Sequence, residues 1–227
     1  VKTVAVWDLP TRVFHWALVL ALIGLFITGK LGGNWMEWHR LLGFFVLGLI
    51  AFRIAWGVVG GFHSRFVNFV RGPRAIMAYL RGDSGSTIGH NPLGALSVLA
   101  LLTVVGFQAV SGLFADDEVL MQGPYVSAVS SAFSATMTRW HHWNSNIILG
   151  LVALHVLAII FYTWVKREKL LGAMVSGKKN LVVEQNSSNG ELFQAEVAEK
   201  ARPIWVFWLV AVSVAISTWA VVTRQLG

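Results

Sequence analysis

Five apolar runs, each near the length of a membrane-crossing helix, constrain this chain more than any other feature. They fall near residues 13–29, 40–60, 93–115, 144–165 and 204–223. A helix needs about 20 residues to cross the hydrocarbon core of a bilayer, and within that core it satisfies its own backbone polar groups. The first run is short, but Asp8-Leu-Pro10 just before it reads as a helix start, with Asp8 as cap and Pro10 in the first turn. A signal-peptide reading of this run is weaker. No small-x-small cleavage site follows it, and the run contains His15 and Trp16. Composition agrees with a membrane protein. Hydrophobic residues make up 56% of the 227 and charged residues only 13%, where a soluble domain averages about 25% charged. A disordered chain is excluded.

The net charge of +7 does not imply a nucleic-acid partner, because basic residues sort by membrane side. Lys2 and Arg12, then Arg65, Arg71, Arg74 and Arg81, then Lys166, Arg167, Lys169, Lys178, Lys179, Lys200 and Arg202 fall on one side. Only Lys30, Arg40, Arg139 and Arg224 fall on the other, with the acidic run Asp116-Asp117-Glu118. The expected protein is a multi-pass membrane protein, and the positive-inside rule puts its N-terminus in the cytoplasm and its C-terminus outside. Tryptophans 35, 38, 140, 143, 164, 205 and 208 mark the interfaces. The loop after the second run carries Phe66, Phe69 and Val70 at helical spacing, followed by Pro73. This suits short amphipathic pieces in the interface or a docking surface for a soluble partner. The segment 180–203 turns polar and reads as a cytoplasmic linker. The expected organisation is a four-helix core over 1–179, the linker, and an added membrane helix over 204–227.

There are no cysteines, which excludes iron–sulfur clusters, thiolate metal sites and covalent haem attachment through Cys-x-x-Cys-His. Seven histidines remain. His155 lies deep in the fourth run, where an imidazole is costly and points to function. His141 lies fourteen residues earlier, so the two leave one helix face offset by about 40° and separated by roughly 21 Å. His142 points about 140° away from His155. One helix thus offers two imidazoles at two depths, as a bundle holding two stacked haems requires. Depth selects their partners. His39 opens the second run on the same side as His141, and His15 lies in the half of the first run that matches His155. The expected pairs are His39 with His141 for an outer haem and His15 with His155 for an inner one. His63 and His90 read as surface residues or as neighbours of a quinone.

Arg53 is the one charged residue inside a run. Fourteen residues after His39, it leaves the same face at a deeper level. It either pairs with an anion such as a haem propionate or snorkels to the headgroups. Gly43, one turn from His39, either lets a flat ring approach or packs helix on helix.

Several motifs carry a resemblance. Val6-Trp-Asp-Leu-Pro-Thr-Arg-Val-Phe-His15-Trp, Trp38-His39-Arg-Leu-Leu-Gly43, Phe52-Arg53-Ile-Ala-Trp-Gly, Arg65-Phe-Val-Asn-Phe-Val-Arg-Gly-Pro73, Gly89-His90-Asn-Pro-Leu-Gly94 and Leu154-His155-Val are similar to the bacterial cytochrome b561 family. That family includes the b-type cytochrome subunit of nickel-iron hydrogenases. The resemblance runs from about residue 4 to 179. It implies an all-α membrane protein, a four-helix transmembrane bundle binding two b haems, with the fifth helix added to it. It also implies axial ligands at His15, His39, His141 and His155. Many members carry an acidic residue where this chain has His142.

The implied function is electron transfer across the membrane through two haem b groups. Quinone is the expected exchangeable carrier. The expected partners are membrane lipid and a periplasmic c-type cytochrome, or a dehydrogenase or hydrogenase subunit. No nucleic acid is expected. Two axial imidazoles fill the iron's open positions, so such a centre moves single electrons and binds no substrate itself. No catalytic residue is assigned. Two rivals remain: a freestanding superoxide or quinone oxidoreductase, and a histidine-based proton or metal transporter. The transporter predicts charges scattered through several runs, where this chain has Arg53 alone.

Overall fold

A computed structural model of the chain describes residues 2–82, 88–117, 121–181 and 202–223. Among them, five helices are long and apolar enough to cross a membrane. α1 spans Leu9–Leu31, α2 Met36–Val59, α5 Pro92–Gly112, α6 Ser131–Trp164 and α8 Ile204–Thr223. Short helices α3 (Phe66–Phe69) and α4 (Pro73–Arg81) follow α2, and α7 (Leu170–Ser176) follows α6. This is the all-α membrane fold expected. Large apolar side chains face outward along the helices, among them Leu20, Ile23, Ile27, Leu157 and Trp219, a surface suited to lipid. The polar segment expected over 180–203 lies for the most part outside the described residues.

α1 begins as its sequence reads, with Asp8 Oδ1 accepting the Thr11 backbone N–H at 2.9 Å. α6 starts thirteen residues before the apolar run at 144. Ser131–Trp143 is too polar to register as a span, yet nothing in it breaks a helix. A two-stranded antiparallel sheet adds to the helices without any signal in the hydropathy pattern. β1 (Lys2–Ala5) pairs with β2 (Lys178–Leu181), Val4 opposite Lys179. Gly177 turns the chain into β2 at φ 79°, a conformation glycine adopts without strain. Its carbonyl accepts the N–H groups of Val6 and Trp7 at 2.8 and 3.1 Å.

The described residues form two compact units. The first comprises Val1–Val13, Arg53–Ala100 and Leu154–Trp208; the second comprises Phe14–Phe52, Leu101–Ala153 and Leu209–Gly227. In the second unit, Ala21 of α1, Val46 and Ile50 of α2, Val105 of α5 and Ile148 of α6 form one buried core. α8 joins that unit through Tyr125, whose hydroxyl donates to the Val221 carbonyl at 3.0 Å. In the first unit, Val4, Val6 and Ile88 form a smaller core, and Phe207 packs edge-on to Trp56. Arg202 Nε donates to the Gly60 carbonyl there at 3.2 Å.

Candidate haem site

In the second unit, His39 of α2 faces His141 of α6. Their ring centroids are 6.3 Å apart and the planes cross at 77°. A first-row metal ion held between two imidazole nitrogens, each about 2 Å away, separates ring centroids by about 6 Å. Both rings line a cavity of about 290 Å³, together with Gly29, Gly43, Gln108 and Ile148. A Cβ on Gly43 would meet nothing within 4 Å, so this face of α2 is open to a flat group.

Hydrogen bonds fix the tautomer of each ring. His39 Nδ1 lies 3.0 Å from the Leu25 carbonyl, and His141 Nδ1 lies 3.0 Å from that of Gln108. A carbonyl only accepts, so Nδ1 carries the proton in both rings and Nε2 keeps its lone pair for a metal. The Nδ1–H bond also raises the basicity of Nε2. Around His141 this bond sits in a larger polar network. Gln108 Nε2 donates to the His141 carbonyl at 3.0 Å, and Asn144 Nδ2 donates to Gln108 Oε1 at 2.8 Å and to the Val104 carbonyl at 2.9 Å. Asn144 is buried. This network ties α5 to α6 at the level of His141. None of Thr28, Gln108, Ser111 and Asn144 stands out in the sequence reading, although polar side chains inside apolar spans are a usable signal.

Among the described residues, no group of three His, Cys, Asp or Glu side chains is placed to hold a metal ion. Two opposed imidazoles in an apolar cavity instead suit an iron whose equatorial ligands come from a porphyrin. His142, next to His141 on α6, is exposed and also lines the cavity, and its ring lies 6.4 Å from that of His141. His15 belongs to the second unit, with its ring edge-on to Trp16 at 5.0 Å. His155 belongs to the first unit and is half-buried.

Arg53, in the first unit, is 3% exposed, and its Nη1 has no hydrogen-bond partner among the described residues. The guanidinium lies 4.8 Å from the Phe66 ring centroid, a cation–π contact. A buried guanidinium donor without a partner is costly in an apolar setting.

Of the two alternatives for His63 and His90, surface residue or neighbour of a quinone, the first does not hold, since neither side chain is exposed. His63 is buried. His90 lies between Trp7 and Phe69, with ring centroids 4.5 Å from each. Burial holds the His63 imidazole below the usual histidine range, against the opposing pull of Asp8. Burial, reinforced by the positive charge of Arg53 and by His63 and His155, pushes His90 down to about 3. Both rings are therefore neutral near pH 7.

The family profile of prokaryotic cytochrome b561 matches residues 6–177. The chain belongs to that family. Membership makes this a b-type cytochrome, with haem b as its cofactor and electron transfer in the membrane as its work. Curated relatives agree. The chain is 25% identical over 212 residues to the probable Ni/Fe-hydrogenase B-type cytochrome subunit of Bradyrhizobium diazoefficiens, covering 78% of this chain and 86% of that one. Subunits of the same description in Azotobacter vinelandii and Cupriavidus necator are each 24% identical, over 77% and 78% of this chain and 87% of their own lengths. No solved structure matches.

Proposed function

We propose that the chain conducts electrons across a bacterial inner membrane through two haem b groups. The observation that carries the proposal is the opposed pair His39 and His141, whose Nδ1 atoms are engaged and whose Nε2 atoms remain free for iron. When bound, haem supplies a one-electron iron couple. His39 and His141 would hold one haem through their Nε2 atoms and would leave its iron no open place for oxygen or substrate. Gln108 and Asn144 hold His141 in place, and Gly43 lets the ring system approach α2.

His15 and His155 hold the second haem. The fourteen-residue spacing of His141 and His155 on α6 supports this pairing, since it presents two ligands on one helix face. Arg53 neutralises a propionate, and its buried, unanswered Nη1 supports that role. The core spans 1–179, and 180–203 is a linker to an added helix over 204–227. The N-terminus is cytoplasmic and the C-terminus periplasmic, as the distribution of lysine and arginine argues.

The electrons pass between the quinone pool and a periplasmic or membrane redox partner. The relatives named as hydrogenase cytochrome subunits support a hydrogenase or dehydrogenase partner, and a c-type cytochrome fits the periplasmic side equally. The test is the purified chain itself. It is expected to be red, with reduced low-spin b-haem bands, two haems per chain by pyridine haemochromogen, and release of all haem into acid acetone. In vesicles it should carry electrons from a quinol to an oxidant on the other side. A colourless protein from haem-replete cells would defeat this reading.

A further inference from the structure

The two histidines of the cavity are seated in matching ways. On α1, Leu25 supplies a carbonyl, Thr28 a hydroxyl three residues later, and Gly29 follows. On α5, Gln108 supplies a carbonyl, Ser111 a hydroxyl three residues later, and Gly112 follows. His39 Nδ1 lies 3.0 Å from the Leu25 carbonyl and 3.3 Å from Thr28 Oγ1. His141 Nδ1 lies 3.0 Å from the Gln108 carbonyl and 3.1 Å from Ser111 Oγ. A Cβ on Gly29 would stand 3.1 Å from His39 Cε1, and one on Gly112 would stand 3.0 Å from His141 Cε1. The same pattern of carbonyl, hydroxyl and glycine therefore occurs twice, each time on a helix that does not carry the histidine it cradles.

The direction of the protons follows from the remaining hydrogen bonds. Thr28 Oγ1 donates to the Gly24 carbonyl at 2.7 Å. Ser111 Oγ donates to the Gln108 carbonyl at 3.0 Å. With its own proton committed to the helix backbone, each hydroxyl presents a lone pair to the imidazole. Each Nδ1–H is thus shared between a carbonyl and a hydroxyl oxygen. Back-bonding to a carbonyl is common for Ser and Thr in helices, and it accounts for the hydroxyl's own proton. It does not account for the placement of both oxygens on a ring nitrogen, nor for a glycine beside each. Ser111 is fully buried, at 0% exposure, so its bonds to the ring and the helix are not shared with solvent.

Two acceptors on Nδ1–H make an imidazole a stronger donor to iron and favour the ferric state. We propose that Thr28 and Ser111 are positioning residues for one haem. They act through His39 and His141 to fix the crossed ring planes and to hold that haem's potential down, while Gly29 and Gly112 provide the room. This rests on His39 and His141 being the two axial ligands of a single haem.

The experiment uses the full chain in detergent, with redox titration followed in the visible bands and low-temperature EPR of the oxidised protein. The wild type should show a strongly anisotropic low-spin ferric signal, as crossed imidazole planes produce. Thr28→Val and Ser111→Ala should each raise the midpoint of the same one of two transitions and leave the other in place. A tenfold change in the one-electron equilibrium would appear as about 59 mV. Thr28→Ser and Ser111→Thr, which keep the hydroxyl, should restore the wild-type potential. Gly29→Ala and Gly112→Ala should change the g-spread of that same haem by turning a ring.

Unmoved potentials in both hydroxyl variants, or movement of different transitions, would overturn the proposal. A wild-type spectrum showing only parallel-plane haems would overturn it without any variant having to fold. Failure of the underlying reading looks different: the wild-type chain takes up no haem, or the His39→Ala variant keeps its full complement.

Discussion

The carboxylate of Asp8 accepts the indole N–H of Trp56 across 3.0 Å. The same oxygen accepts the Ser64 hydroxyl at 2.8 Å and the Gly61 N–H at 3.2 Å, while Oδ1 caps α1. One side chain thus starts the first membrane helix and holds the end of the second. Trp56 is 2% exposed, so its N–H has no route to water. Asp8→Ala removes this acceptor from Trp56 and Gly61, while Ser64 keeps its contact with Thr11 Oγ1 at 2.8 Å, at about 1–3 kcal/mol for each buried donor that loses its bond. Thermal unfolding in detergent is expected to show a destabilisation of about 3 kcal/mol or more, with Asp8→Asn intermediate. A midpoint unchanged by Asp8→Ala would show that water replaces the carboxylate.

The ligand assignment separates two adjacent histidines. His39→Ala and His141→Ala are each expected to remove the same haem, halving the haem content per chain. His142→Ala should keep both, since His142 is exposed. Pyridine haemochromogen content of the three variants decides between them. Loss of haem in the His142 variant alone would reverse the helical phase.

Arg53 is expected to act on the other haem. Removing a buried positive charge favours the ferric form, so Arg53→Leu should lower one midpoint potential. A tenfold shift in the one-electron equilibrium is about 59 mV. Arg53→Lys keeps the charge but loses the planar fork and should lower it less. Redox titration checks the sign, and an upward shift contradicts the propionate role.

Acid should destabilise the unit that holds His63 and His90. Both imidazoles have folded values below the ordinary 6.5, His90 at about 3. The unfolded chain therefore binds protons that the folded chain refuses. Stability is fully present above pH 6.5 and falls as the pH drops toward 3, by up to about tenfold in the folding equilibrium per pH unit for His90, with His63 adding to the loss in the same direction. Unfolding midpoints measured across this window should fall less steeply for His90→Asn than for the wild type.

Removing 204–223 should lower the unfolding midpoint while leaving the haem spectrum in place. The deletion takes away the Tyr125 hydroxyl bond to Val221, worth about 1 kcal/mol. The Phe207–Trp56 ring pair adds about 0.5–1.5 kcal/mol. His15, His39, His141 and His155 lie outside this helix. Loss of both haems in the shortened chain would make the fifth helix integral to the core.

The membrane helices were legible because length and hydropathy decide them almost alone. The facing of His39 and His141 was legible for a related reason: depth and helical phase fix where a residue sits on a span. The early start of α6 was hidden because Ser131–Trp143 is helical without being apolar. The β1–β2 pair was hidden because its strands are four residues each and lie far apart in sequence. The burial of His63 and the packing of His90 between aromatic rings were hidden for a different reason. A loop histidine looks solvated until the aromatic rings beside it are known to converge there, as Trp7 and Phe69 do on His90. The seating of the ligands depends on which carbonyl and hydroxyl on a neighbouring helix reach a ring nitrogen, and no single helix reveals that.

The pairing of Lys2–Ala5 with Lys178–Leu181 sets an order for biogenesis. A ribosome adding about 5–20 residues each second needs on the order of ten seconds or more to reach the second strand after making the first. Through that interval the first strand has no sheet partner, while α1, α2, α5 and α6 enter the bilayer in turn. The sheet closes only once the histidine-bearing helices have been synthesised. It works as a late clasp, and its closure marks a chain whose four long histidine-bearing and neighbouring helices are already made.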